Sequence, residues 1–265
     1  MVIWISAMCL LSTPAYALDS LPPELMHNGQ PIDPLCFEAV SADEWLPLGG
    51  CVDEGIVMLD TLPEGAQAMG DIGYYYRYRE DTSQTSALPY SFYRYIGQWN
   101  GAPVLLTQTS GGGTGKFSAL MSIERTGNTI RVLQGFAAGD RCNGGIEDVR
   151  LEAGTLYYSQ WLVPYDFLQI AEDNPGDLQP YQDLEASAAS CVARARYKDG
   201  ELAGVALEST PDTAEQDLPG WAEKYPYQSC FNNLYRAYLT QGKKELSIQQ
   251  LKEFTGEFNR LCLPR

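Results

Sequence analysis

The chain has 265 residues, with 34 Asp or Glu against 18 Lys or Arg, a formal charge of -16 and one histidine. Such a balance argues against nucleic acid and anionic lipid surfaces and leaves a basic protein or a neutral glycan as the easier partner, the plain alternative being that acidity keeps an exported protein soluble. The single histidine, His27, rules out histidine triads and multi-histidine metal sites unless its proline-bearing arm folds back over the rest, so neither a metal nor another cofactor is expected.

Residues 1–17 hold an apolar run from Val2 to Leu11 and end in Ala15-Tyr16-Ala17, the pattern of a signal peptide with Leu18 as mature N-terminus. Cleavage there removes Cys9 and leaves Cys36, Cys51, Cys142, Cys191, Cys230 and Cys262. An even set of cysteines in an exported chain reads as disulfides, in a periplasmic or secreted protein. No later apolar run reaches membrane-spanning length, so no membrane span is expected.

Residues 18–72 read as an irregular acidic arm. Between Leu18 and Tyr76 there are eleven Asp or Glu and no Lys or Arg, and Pro22, Pro23, Pro31, Pro34 and Pro47 interrupt any long element. Cys36 and Cys51 enclose Trp45, which suggests a local disulfide loop that pins this arm.

Residues 73–210 read as an antiparallel β domain. In Gly73 to Arg79 the alternation puts Tyr74, Tyr76 and Tyr78 on one face of a strand, a row able to stack on sugars but more often packed under a neighbouring strand. Strands at Ser91–Ile96 and Pro103–Thr109 join through the Asn100-Gly101 turn. Phe117, Ala119, Met121 and Ile123 alternate along the next strand, and the turn at Thr126 to Thr129 leads to Ile130 and Val132. Val149 and Leu151 precede a turn at Ala153-Gly154, Leu156 to Leu162 resumes the sheet, and Tyr165 to Ala171 has the spacing of one short helix. Ser187–Tyr197 and Glu201–Leu207 form a hairpin across Asp199-Gly200.

Residues 211–226 read as a connection and 227–265 as a helical hairpin. Phe231, Leu234, Tyr235, Tyr238 and Leu239 share one helical face and Gly242 supplies the stop. Ser247 and Gln250 form a capping box, with Leu246 and Leu251 at the positions of a hydrophobic staple. Two helices joined by so short a turn run antiparallel, which brings Cys230 and Cys262 together. Six cysteines allow about fifteen pairings. Elimination then adds Cys36 to Cys51 and Cys142 to Cys191. The expected class is α+β, predominantly antiparallel β in a meander sheet or partly open barrel, with a C-terminal antiparallel helical hairpin and disulfide staples.

Motifs with chemistry are few. Ser110 to Phe117 resembles a phosphate loop but has Ser110 where the first glycine belongs and Phe117 where a metal-binding hydroxyl belongs, so a glycine hairpin accounts for it better. Asp173, Asn174, Asp177 and Asp183 lack the alternation of a calcium loop. The loop Gly139 to Gly145 places Asp140, Arg141 and Asn143 beside a bridged Cys142, with Glu147 and Asp148 just beyond and Trp161 at the end of the sheet region, which makes these six the candidate ligand-binding residues. A turn in which Asp140 and Arg141 pair with each other is the structural alternative. No set of catalytic residues is assigned. The preferred function is an exported, non-catalytic binding protein of a bacterial-type cell envelope that recognises a protein or glycan through β-sheet loops and an acidic flank. Alternatives are a polysaccharide hydrolase drawing two carboxylates from Glu124, Asp140, Glu147 and Asp148, and an envelope assembly or scaffolding protein.

Overall fold

A computed structural model describes residues 21–51, 56–57, 72–76, 89–170, 178–208 and 224–263. The expected signal peptide at residues 1–17, Tyr78, the calcium-loop candidates Asp173, Asn174 and Asp177, and most of the expected connection at 211–226 lie outside the described residues. In chain order the elements are β1 (Met26–His27), β2 (Gln30–Pro31), α1 (Pro34–Ala39), β3 (Leu46–Pro47), β4 (Ile56–Val57), β5 (Ile72–Tyr76), β6 (Tyr90–Trp99), β7 (Ala102–Ser110), β8 (Phe117–Thr126) and β9 (Thr129–Asp140). They continue with β10 (Ile146–Glu152), β11 (Thr155–Leu162), α2 (Pro164–Gln169), β12 (Ala193–Lys198), β13 (Glu201–Leu207), α3 (Gln228–Thr240), β14 (Glu245–Leu246) and α4 (Ile248–Cys262). The class read from the sequence is the one observed: antiparallel sheets, a C-terminal helical pair and three disulfides.

Two large sheets carry the fold. Seven strands pair in the order β3-β9-β8-β7-β6-β5-β4 and five in the order β10-β11-β12-β13-β14. At its centre the seven-stranded sheet is covered on both faces, and there β7 opens with an apolar run from Ala102 to Leu106. On β7, Leu105 packs with Phe37 of α1, Tyr93 and Ile123, whereas Val104 belongs to a second cluster with Leu120, Leu156 and Tyr158 that joins the two sheets. There the Tyr158 and Tyr197 rings stack with centroids 4.8 Å apart, and the Trp99 indole N–H donates to Asp199 Oδ1 at 3.0 Å across the two sheets. Strand β6 runs past the expected end at Ile96 through a bulge at Gly97. Gly97 takes a φ of 146°, which side chains rarely adopt, and a Cβ there would also stand 2.9 Å from Leu151 Cδ2 of β10.

The five-stranded sheet is buried on one face only and keeps the alternation such sheets show. Leu162, Ala193, Ala195, Val205 and Leu207 turn inward onto the helices. Tyr157 and Trp161 turn the other way, as the register with Lys198 and Arg194 requires. Strand β12 starts at Ala193 rather than Ser187, because Ser187 to Val192 form a turn held by the Cys142–Cys191 bond and by Cys142 N–H donating to Ala188 O at 3.2 Å. The acidic arm, expected to be irregular, contains α1 and short strands; Arg125 fastens it by donating to the carbonyls of Pro23, Glu24 and Met26.

The helical pair forms as its caps dictate. Lys243 N–H donates to Tyr238 O and Gly242 N–H to Leu239 O, a Schellman stop for α3, and the Ser247–Gln250 box opens α4. Phe231, Tyr235, Phe254 and Phe258 are fully buried against the sheet, with Phe254 edge-on to Phe167 at 5.0 Å and to Tyr238 at 4.9 Å. Among the described residues no helix is long and apolar enough to cross a membrane. Truncating Phe254 to alanine should cost about 3–5 kcal/mol by urea unfolding, and Ile248 to alanine, 40% exposed on the same helix, less than about 0.5 kcal/mol. Similar losses at both positions would show that this aromatic cluster is not the core of the helical layer.

Candidate functional site

The loop between β9 and β10 carries the chain from one sheet to the other and does so under tight backbone contact. A Cβ on Gly139 would collide with the carbonyl oxygen of Asn143, and one on Gly145 with that of Arg141. These contacts explain the glycines at both ends of Gly139-Asp140-Arg141-Cys142-Asn143-Gly144-Gly145. Gly144 N–H donates to Trp161 O at 2.9 Å and Trp161 N–H to Gly145 O at 2.9 Å, so the loop continues the edge of the five-stranded sheet. The Cys142–Cys191 bond, with Cα atoms 4.6 Å apart, packs against Val163 and Ala186. Val163 is the residue that opens α2, so loop and helix rest on one apolar anchor.

The six candidate residues fall into three places. Asp140 and Arg141 pair with each other, Arg141 Nε donating to Asp140 Oδ1 at 3.0 Å and Nη2 to Oδ2 at 3.1 Å. With Lys116 N–H also donating to Oδ1 at 2.8 Å, Arg141 first and Lys116 second hold the Asp140 carboxyl below the usual range against the opposing effect of burial. Glu147, Asp148 and Trp161 lie on the exposed face of the five-stranded sheet. There Arg194 stands 5.2 Å from the Trp161 ring centre and donates to Glu208 at 2.6 Å and Asp148 at 3.5 Å, while Ser159 donates to Asp148 at 3.2 Å. Asn143 alone faces a cleft.

That cleft, about 420 Å³, opens between the loop and α2. Its polar wall is Asn143, Gln160, Asp166 and Gln169; Ala138, Leu162 and Ile170 supply apolar surface. Two amides have their nitrogen ends committed to backbone: Asn143 donates to Ala186 O at 3.3 Å and Gln160 to Gly144 O at 3.1 Å. Gln169 is hydrogen-bonded to the Tyr165 hydroxyl at 2.7 Å. The Asp166 carboxyl has no hydrogen bond or ion pair among the described residues, and burial pushes its pKa up to about 6. Tyr197 of β12, raised to about 12 by burial first, also feels the Asp166 charge. A second groove of about 640 Å³ lies between α1 and the β7–β8–β9 surface, lined by Phe37, Val40, Thr107, Phe117 and Met121.

Sequence reasoning placed the helix over this segment but did not single out Asp166. The available signal was its context: a carboxylate between Tyr165 and Phe167, four residues before Ile170, in a turn otherwise read as buried. Glu124 of β8 is paired with Arg131 at 2.6 Å, and Asp183 accepts from Gln179 N–H at 2.9 Å. Among the described residues no group of three or more His, Cys, Asp or Glu is placed to hold a metal ion. Compared with protein-family models, curated proteins and solved structures, the chain matches none of them.

Burial disfavours the Asp166 carboxylate in the folded state, so its folded pKa lies above the unfolded value near 3.8. The stability associated with its proton is complete below that unfolded value and is lost as pH rises through about 6. Relative to Asp166→Asn, the parent should lose about 1–3 kcal/mol between pH 4 and pH 7 in urea titrations. Parallel pH profiles for the two proteins would show that Asp166 is not held as described.

Proposed function

We propose that this protein is an exported, non-catalytic binding protein that recognises a basic protein partner through the cleft between the Gly139–Gly145 loop and α2. The observation that carries this reading is Asp166, a half-buried carboxyl left without a partner among the described residues in a cleft whose walls are otherwise held in place. An acid kept in that state weakens the fold at neutral pH, and such costs concentrate where a ligand completes the site. Three disulfides and a charge of -16 support a compartment outside the cytosol and an attraction for cations. A lysozyme-inhibitor-like role against a basic enzyme is one concrete version. The paired-carboxylate alternative draws less support, since Glu124, Asp140 and Asp148 are each engaged by an arginine.

The immobilised protein should retain a basic protein such as lysozyme at low salt and release it as ionic strength passes roughly 0.1 M, where the screening length falls to about 10 Å. An acidic protein of similar size should pass through, and Asn143→Ala should weaken retention by about threefold or more by removing a cleft wall. Retention indifferent to salt, or equal for the two probes, contradicts the reading.

A further inference from the structure

The cleft beside α2 has a chemical bias that its shape alone does not convey. For Asn143 and Gln160 the bonded partner is a backbone carbonyl, so the end that makes the bond must be the amide nitrogen. No donor among the described residues reaches either amide oxygen, nor the carboxylate of Asp166. Gln169 likewise turns its nitrogen to the Tyr165 hydroxyl, so the polar wall is left with four unserved acceptor groups, the Asp166 carboxylate and three amide oxygens. Leu162, Ile170 and Ala138 add an apolar strip in the same cleft.

We propose that this cleft takes a primary alkylammonium group, as carried by a lysine side chain, with Asp166 as counter-ion and the amide oxygens of Asn143 and Gln160 as further acceptors. An ammonium brings three donors and no acceptor, so each of its hydrogens can meet an open acceptor of this wall. The methylene stem of such a side chain packs on Leu162 and Ile170 while the head reaches the polar wall. A guanidinium presents five donors in a wider planar fork and is the rival cation that the arginine probe below tests. A sugar brings as many acceptors as donors and gains most from an aromatic platform. Among the described residues lining the cleft there is no aromatic ring, and Trp161, adjacent to Gln160 in the chain, projects from the opposite face of β11.

This assignment rests on the binding reading above and specifies its chemistry. It also fixes the direction of the pH effect. An ammonium needs the ionised carboxylate, so affinity falls as Asp166 takes up its proton. The titratable group that feels Asp166 from the neighbouring strand is Tyr197, neutral throughout this range, and the loop's Asp140 and Arg141 neutralise each other. Charged groups on the exposed face of the sheet, among them Arg194 and Glu208, are paired on the far side of β11.

The test is an amide NMR titration of the whole protein with Nα-acetyl-lysine methylamide, Nα-acetyl-norleucine methylamide, the arginine analogue and N-acetylglucosamine. The lysine probe should produce saturable shifts at Asn143, Gly144 and Gln169 with millimolar affinity. The norleucine probe, which keeps the stem and lacks the charge, should bind about tenfold or more weakly, as should the lysine probe to Asp166→Asn or to the parent at pH 5. Retained amide dispersion in Asp166→Asn shows that the variant is folded, and Asp148→Asn, on the other face of the sheet, should bind as the parent does. Equal shifts from norleucine, a stronger response to arginine or to the sugar, or unchanged affinity in Asp166→Asn each overturn the assignment. If the lysine probe fails while lysozyme is still retained in a salt-dependent way, the ammonium site falls and the binding reading stands. If neither binds, both fall.

Discussion

The arrangement depends on one crosslink. Cys142 sits in the loop that leaves the seven-stranded sheet, and Cys191 in the turn that enters β12 of the five-stranded one. Their bond closes a sequence separation of 49 residues and is packed against Val163, where α2 begins. On a chain-entropy account such a closure removes roughly 4 kcal/mol of freedom from the unfolded chain. Its local effect matters more for the site. The loop bears glycines forced by backbone contact, and without the bond a strand-to-strand crossing of this kind would have few apolar groups to hold it. With it, Asn143 on one wall and Asp166 on the other are referred to the same buried cluster.

The remaining layers bring groups to that point. Tyr158, stacked on Tyr197 within the five-stranded sheet, packs with Val104 and Leu120 of the seven-stranded one, the Trp99 to Asp199 bond spans the two sheets, and the aromatic cluster around Phe254 backs α2 through Phe167. Helix α2 is therefore a short element backed through Phe167 by the aromatic cluster. The raised pKa of Asp166 follows from its placement rather than from any nearby negative charge, since burial is the cause of the shift. By contrast, Asp148, Glu152 and Glu208 on the exposed sheet face are each paired with an arginine.

Local features were legible in the sequence because they depend on neighbours a few residues away. The Asn100-Gly101 and Asp199-Gly200 turns, the Ser247 capping box and the stop at Gly242 each follow from short-range hydrogen bonding. The Cys230–Cys262 pairing followed from the helical turn, and the other two bonds from elimination. The division into two sheets was not legible, because alternation says that one face of a strand is buried and not what buries it. The same limit separates Gln160 from Trp161: adjacent residues, one at the cleft and one on the open face. Asp166 escaped notice because its environment is assembled from Ala138, Asn143 and Gln160, which no local pattern connects to a helix at 164–169.

Hydrogen exchange of the loop amides tests the central claim most directly. The N–H groups of Cys142, Gly144 and Gly145 donate to Ala188, Trp161 and Arg141, and in the intact protein they should exchange slowly. In a Cys142→Ala, Cys191→Ala variant their protection should fall by about tenfold or more, together with that of the first turn of α2, while amides in the α3–α4 pair keep theirs. Unchanged protection in the loop would mean that the crosslink does not hold the two walls in register, and the account of the cleft would fail with it.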